Sequence, residues 1–131
     1  MIWAWAVILL SAGDFSHRTH APLKLKCVQC HTTAEKEEVA SFPEVASCRV
    51  CHTSMADRVI PARRVYLLRE FVFFSHAAHH AAKVACATCH GEVNSHDTLK
   101  VERPTTMAAC VACHKQTKAT LECNACHELG H

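Results

Sequence analysis

Five copies of one pattern, Cys-x-x-Cys-His, account for every cysteine in the chain. They are Cys27/Cys30/His31, Cys48/Cys51/His52, Cys86/Cys89/His90, Cys110/Cys113/His114 and Cys123/Cys126/His127. The chain has 12 His in 131 residues, so a His directly after each of five Cys pairs by chance is on the order of one in 10⁵. Zinc sites also use Cys-x-x-Cys pairs, but a four-cysteine zinc takes two pairs at once, and five pairs do not close. Nor does zinc require His directly after the second Cys. The pattern is the attachment sequence of c-type haem, in which both thiols bond to the porphyrin and the adjacent His binds iron. Five covalently attached haem c groups are therefore expected, on Cys27, Cys30, Cys48, Cys51, Cys86, Cys89, Cys110, Cys113, Cys123 and Cys126. His31, His52, His90, His114 and His127 are the expected proximal ligands.

A second pattern repeats around the first. Phe15-Ser16-His17-Arg18-Thr19-His20 precedes the first motif, and Phe74-Ser75-His76-Ala77-Ala78-His79 precedes the third, with the Phe, the Ser, both His and the whole Cys-x-x-Cys-His pattern recurring 59 positions later. Two His three residues apart share one face of a helical turn, so each pair can offer imidazoles to the open faces of two haems. The repeat divides the chain into a dihaem module at 14–58, a connector at 59–73 and a trihaem module at 74–131. Five haems leave few residues per cofactor, so the porphyrins must be the core. The 50% hydrophobic composition then wraps haem faces, and the haem-free chain is expected to be unfolded. The expected fold is mainly α with irregular loops and little regular secondary structure: two repeated modules around haem.

Residues 2–12 form a largely apolar run of a length that suits a signal-peptide core better than a bilayer span. Ser11-Ala12-Gly13 supplies small residues for cleavage, but no Lys or Arg precedes Arg18, so residues 1–13 read as a signal peptide or an N-terminal anchor. Covalent haem attachment of this kind occurs outside the cytoplasmic membrane, which implies export to the periplasm. Glu35-Lys36-Glu37-Glu38 reads as a solvated helical face. Met55 reads as packing rather than a ligand. The connector carries a β-rich run, Val65-Tyr66-Leu67-Leu68 then Phe71-Val72-Phe73. It reads as an extended segment lying on haem faces, with a docking edge for a membrane subunit as the alternative.

The His pairs and the motifs that follow them resemble class III multihaem cytochromes c, of the cytochrome c3/c7 type. Residues 74–131 are similar to the triheme c7 members over their whole length. Residues 15–52 are similar to the same unit without its last haem. More loosely, the whole resembles small pentahaem subunits that accompany membrane quinol-linked oxidoreductases. The resemblance implies bis-His haems in which the first His of each pair serves the next haem in sequence and the second reaches the one after. His17 would then pair with His31, His20 with His52, His76 with His90 and His79 with His114. For the fifth haem the family pattern places a His at position 106, and this chain has Thr106. The candidates for that ligand are His96 first, then Met107, with His80 and His131 behind them.

The formal charge of +2 is not evidence for nucleic acid. Five haems, each with two propionates and a ferric centre of about one net positive charge, bring the total to roughly −3. With nine of ten axial positions assigned to His, the expected function is electron transfer rather than catalysis. The expected partners are redox proteins, among them a membrane-bound oxidoreductase complex. The alternative is a small multihaem reductase with one open-faced haem. It requires a substrate pocket that so short a chain has little protein to build.

Overall fold

The computed structural model describes residues 15–57 and 60–128. Residues 1–13 and His131 lie outside the described residues, and so do the expectations placed on them. Six short α-helices carry most of the motifs: α1 His17–His20, α2 Cys27–Cys30, α3 Val45–Arg49, α4 His76–Ala81, α5 Cys86–His90 and α6 Met107–Thr117. Single 3₁₀ turns lie at Ala21–Leu23, Val93–Ser95 and Cys123–Ala125. No strand forms among the described residues, which hold one isolated antiparallel bridge, Val72 with His127. This is the α-rich, loop-dominated fold the sequence implies.

The helices are short because each is built around one turn of chemistry. In Cys-x-x-Cys-His the first Cys and the His are four residues apart, so one helical turn puts them on one face. The bond that closes that turn is present at His31 N–H to Cys27 O (2.9 Å), His52 to Cys48 (2.8 Å) and His127 to Cys123 (3.2 Å). α5 and α6 contain the same turn for the third and fourth motifs. The His-pair helices begin at serine caps. Ser16 Oγ accepts from Thr19 N–H (3.1 Å) and Ser75 Oγ from Ala78 N–H (3.2 Å), each satisfying an otherwise orphaned helix donor. The repeat extends to backbone detail: Lys24 and Lys83, each three residues before the first Cys of its motif, are both left-handed, with φ of 53° and 59°.

Among the described residues no hydrophobic side chain is buried. Val50 is 80% exposed, Leu67 71% and Phe71 60%, although burying such side chains normally supplies about 1.5–3 kcal/mol each. A polypeptide of this length does not fold on itself in that condition. Exposed apolar surface on this scale suits the haem-cored reading, in which porphyrin faces cover it.

Two expectations about local structure change. Glu35–Glu38 is not a helical face: residues 32–39 run as turns and bends. Thr33 Oγ1 donates to Val39 O and accepts from Ser41 N–H, and His31 Nδ1 bonds Ser41 O at 2.8 Å, which folds the acidic segment back on the first motif. The β-rich run of the connector is extended but unpaired apart from the Val72 bridge. Its side chains bind elsewhere: Arg64 lies 5.0 Å over the Phe42 ring and donates to Ala40 O, and Tyr66 packs edge-on against His90. The connector thus ties the first module to the third motif.

Gly91, directly after His90, has φ of +69°, and a Cβ there would run into the Glu102 carboxylate. An L-residue resists that backbone, so Gly91→Ala is expected to cost about 1–3 kcal/mol, measured as a lower urea midpoint of the haem-loaded protein.

Candidate functional site

The structure brings together four pairs of imidazoles, each joining a His of a His-pair helix to a His of an attachment motif. Ring centres are 6.4 Å apart for His17 and His31, 6.2 Å for His20 and His52, 6.4 Å for His76 and His90, and 6.1 Å for His79 and His114. An imidazole nitrogen binds a metal at about 2.0–2.1 Å and lies about 1.1 Å from its ring centre, so two rings sharing one ion are about 6.2 Å apart. All four pairs have that spacing, which is too wide for ring-on-ring contact. His17 with His31 and His76 with His90 are nearly parallel, at 8° and 12°, whereas the other two pairs are rotated by 66° and 44°.

The rings are held by their far nitrogens. Nδ1 is bonded to a backbone carbonyl in His20 (Ser16 O, 2.9 Å), His79 (Ser75 O, 2.8 Å), His31 (Ser41 O, 2.8 Å), His76 (Glu38 O, 2.8 Å) and His114 (Thr120 O, 2.7 Å). A carbonyl can only accept, so Nδ1 carries the proton and Nε2 is left with its lone pair. Phe15 and Phe74 set the second ring of each pair. They stack on His20 and His79 at 4.5 and 4.6 Å and meet His17 and His76 edge-on at 4.9 and 4.8 Å. Burial, and then the neighbouring His31 and His20, push the His17 pKa down; burial, then His76 and His31, push His90 down. Both shifts favour the neutral ring that can bind metal. His17 Nδ1 is buried without a partner among the described residues.

The cysteines lie beside these pairs, and all ten are free of disulfides. Among the described residues no three His, Cys, Asp or Glu side chains converge as a zinc ion would need. Cys27 and Cys86, equivalent residues of the two modules, line one cavity of about 120 Å³ with His90 and Gly91. Partial burial and then the neighbouring Cys86 push the Cys27 thiol up, and partial burial, then Cys113 and Cys110, push up that of Cys89. Paired imidazoles, free thiol pairs and an unburied apolar surface together fit haem c.

Residues 19–92 match the family model for cytochrome c3. The chain belongs to the cytochrome c3 family. It is also 28% identical to the multiheme cytochrome c subunit of menaquinone reductase from Nitratidesulfovibrio vulgaris (Hildenborough), over 95% of this chain and 73% of that protein. It is thus a multihaem c-type cytochrome with covalently bound haem c, an electron-transport protein. In this cytochrome the family match begins within the first His pair and ends just past the third motif, crossing the connector.

The fifth motif is the exception. Among the described residues no imidazole is set against His127, which bridges Val72 while Cys126 O accepts from Phe73 N–H (2.7 Å). His96 is elsewhere: its Nε2 is held by Glu102, whose carboxyl is kept below the usual range by the Glu92 N–H and then by His96. Met107 opens α6 and is 70% exposed. His80 lies 3.9 Å from Glu35. Thr106, where the family pattern has a His, caps α6 by accepting from Ala109 N–H (3.3 Å). The role of Glu102 was not visible in sequence: a lone Glu twelve residues past a motif carries no signal.

Proposed function

We propose that this protein is an exported pentahaem electron relay, a subunit or partner of a membrane quinone-linked oxidoreductase that passes electrons on to a second redox protein. The observation that carries this reading is the set of four imidazole pairs, each spaced for one iron and each with a carbonyl fixing at least one ring. Haem iron held between two imidazoles exchanges single electrons and offers no position to substrate. The chain's own part is to hold the rings. One turn of α1 serves the sites of His31 and His52, and one turn of α4 those of His90 and His114, so neighbouring sites are kept close by the span of a single helical turn. The name of the N. vulgaris relative supports the quinone-linked setting, and covalent haem attachment supports export. On this reading His17, His20, His76 and His79 are distal ligands, and the tenth ligand is Met107 or a residue outside those described, the His96 Nε2 being held by Glu102.

The reductase alternative retains one observation in its favour, the His127 site without an opposed imidazole among the described residues. Two measurements on the haem-loaded protein address both. Mass spectrometry after denaturation should show five covalent haems, and stopped-flow mixing of the reduced protein with carbon monoxide should show no rapid stoichiometric binding. Fewer haems with zinc present would overturn the cytochrome assignment. Rapid binding at one haem per chain would replace the relay by the reductase.

A further inference from the structure

The helices that carry the distal histidines are too short to hold themselves. α1 has four residues and α4 six, below the length at which an isolated helix persists, and neither buries a side chain. What fixes α1 lies in the other half of the chain. Arg18 N–H donates to His96 O (3.0 Å), Arg18 Nε to Ser95 O (2.8 Å), and Arg18 Nη1 pairs with Asp97 Oδ2 (3.1 Å). Ser16 Oγ donates to Asp97 Oδ1 at 2.7 Å. The segment they grip is itself braced. Glu102 holds both His96 and the Glu92 N–H, and Glu102 N–H donates to Tyr66 Oη (3.0 Å), whose ring lies 4.7 Å from that of His90.

The reverse contact exists as well. Ala77 N–H of α4 donates to Glu37 O (3.0 Å), and His76 N–H and Nδ1 both bond Glu38 O (3.0 and 2.8 Å), in the loop after the first motif. Arg18 and Ala77 are equivalent positions of the repeat, and so are Glu37 and His96. The bonds Arg18→His96 and Ala77→Glu37 are therefore the same contact made twice with the partners exchanged. Cys27 and Cys86, also equivalent, meet in one cavity between them. This is the arrangement of a twofold dimer written into one chain.

We infer that each half of the chain positions the distal-ligand helix of the other half: the 95–97 segment, gripped by Arg18 and Ser16, sets His17 and His20 against His31 and His52, and the 37–38 carbonyls set His76 and His79. Arg18, Asp97 and Glu102 are positioning residues for iron sites whose attachment motifs lie in the first module, although Asp97 and Glu102 belong to the second. His96 serves this lock through its carbonyl and its bond to Glu102. The inference rests on the proposed ligand pairs. The exchange also explains why Arg18 has no counterpart at Ala77: α4 is held through backbone and through His76 Nδ1, whereas His17 Nδ1 has no partner among the described residues and α1 leans on side chains instead.

The test uses the full-length haem-loaded protein with Arg18→Ala, Asp97→Ala and the double variant. Both side chains are more than half exposed, so the variants keep their haems, and Asp97→Asn supplies a milder step. Carbon monoxide captures a reduced haem only when its distal His swings away, so its binding rate follows the open population. Loss of one exposed, charge-assisted strut should raise that rate about fivefold at the haems attached to Cys27/Cys30 and Cys48/Cys51. Haem-methyl NMR signals, assigned to each attachment site, identify which haems respond. The haem at Cys86/Cys89, nearest to Asp97 in sequence, should not change. The double variant should exceed either single one but fall short of their sum, because both lose the Arg18–Asp97 pair while each also loses a bond of its own, to Ser95 O and from Ser16 Oγ. A response confined to the second module, or none at the first two haems, would overturn the lock. Failure of the ligand pairs themselves shows separately, as high-spin iron at these sites in the unmodified protein.

Discussion

The iron bound at His114 is expected to become high-spin when His79 is replaced by alanine, while the iron at His90, nearer in sequence, stays low-spin. The expectation comes from the separation of roles within one helical turn. His76 and His79 are three residues apart on α4, but the ring of His76 is set against His90 at 6.4 Å and that of His79 against His114 at 6.1 Å. Removing the second imidazole leaves beside the gap Phe74, a ring with no lone pair to offer a metal. His76→Ala should do the opposite, opening the His90 site and sparing that of His114. His17→Ala and His20→Ala should repeat the pattern in the first module, at His31 and His52. Conversion at the targeted site should be close to complete, because each remaining ring of the set is already placed against an imidazole of another pair. Near-infrared magnetic circular dichroism counts the high-spin irons, and assigned NMR signals locate them. High-spin iron at His90 in the His79→Ala protein would show that the ligand pairs are crossed.

The second large effect concerns the chain without haem. A variant with all ten cysteines replaced by serine should show no cooperative thermal transition and no near-ultraviolet circular dichroism. Ordering each residue costs about 1–2 kcal/mol of backbone entropy, and in small domains that cost is offset mainly by burial of apolar side chains. Among the described residues none is buried, while Leu67, Phe71, Phe73 and others are more than half exposed. The hydrogen bonds that do cross between the modules contribute about 0.5–1.5 kcal/mol each and cannot close that gap. A cooperative transition in the serine variant would mean that the polypeptide has a core of its own.

The attachment motifs and the repeat were legible because both are local. Cys-x-x-Cys-His is chemistry confined to one helical turn, so its spacing alone states what the turn can bind, and a repeat at 59 positions survives as repeated caps, ring stacks and left-handed lysines. The pairing of His17 with His31, or His79 with His114, came from the family resemblance, and the structure sets those rings at iron-sharing distances. Local pattern failed where long-range partners decide. The acidic stretch at Glu35–Glu38 has helical composition, yet Thr33 and Ser41 fold it into turns whose carbonyls receive α4. The Val65–Leu68 run has strand composition, yet no second strand among the described residues meets it, and Arg64 and Tyr66 take it onto Phe42 and His90.

His96 shows the limit most clearly. As a spare His near the third motif it was the first choice for the fifth haem, because composition counts ligands without knowing which nitrogens are free. The tertiary structure gives its Nε2 to Glu102 and its carbonyl to Arg18, both contacts set by chain topology rather than by spacing. The sequence by itself determined the cofactor chemistry, the number of attachment turns and the twofold character of the chain, all properties written within about six consecutive residues or in their repetition. Only the tertiary structure decided that the two halves exchange their grips. A hydrogen bond between residue 18 and residue 96 depends on how the connector returns the chain, and no local pattern encodes that path.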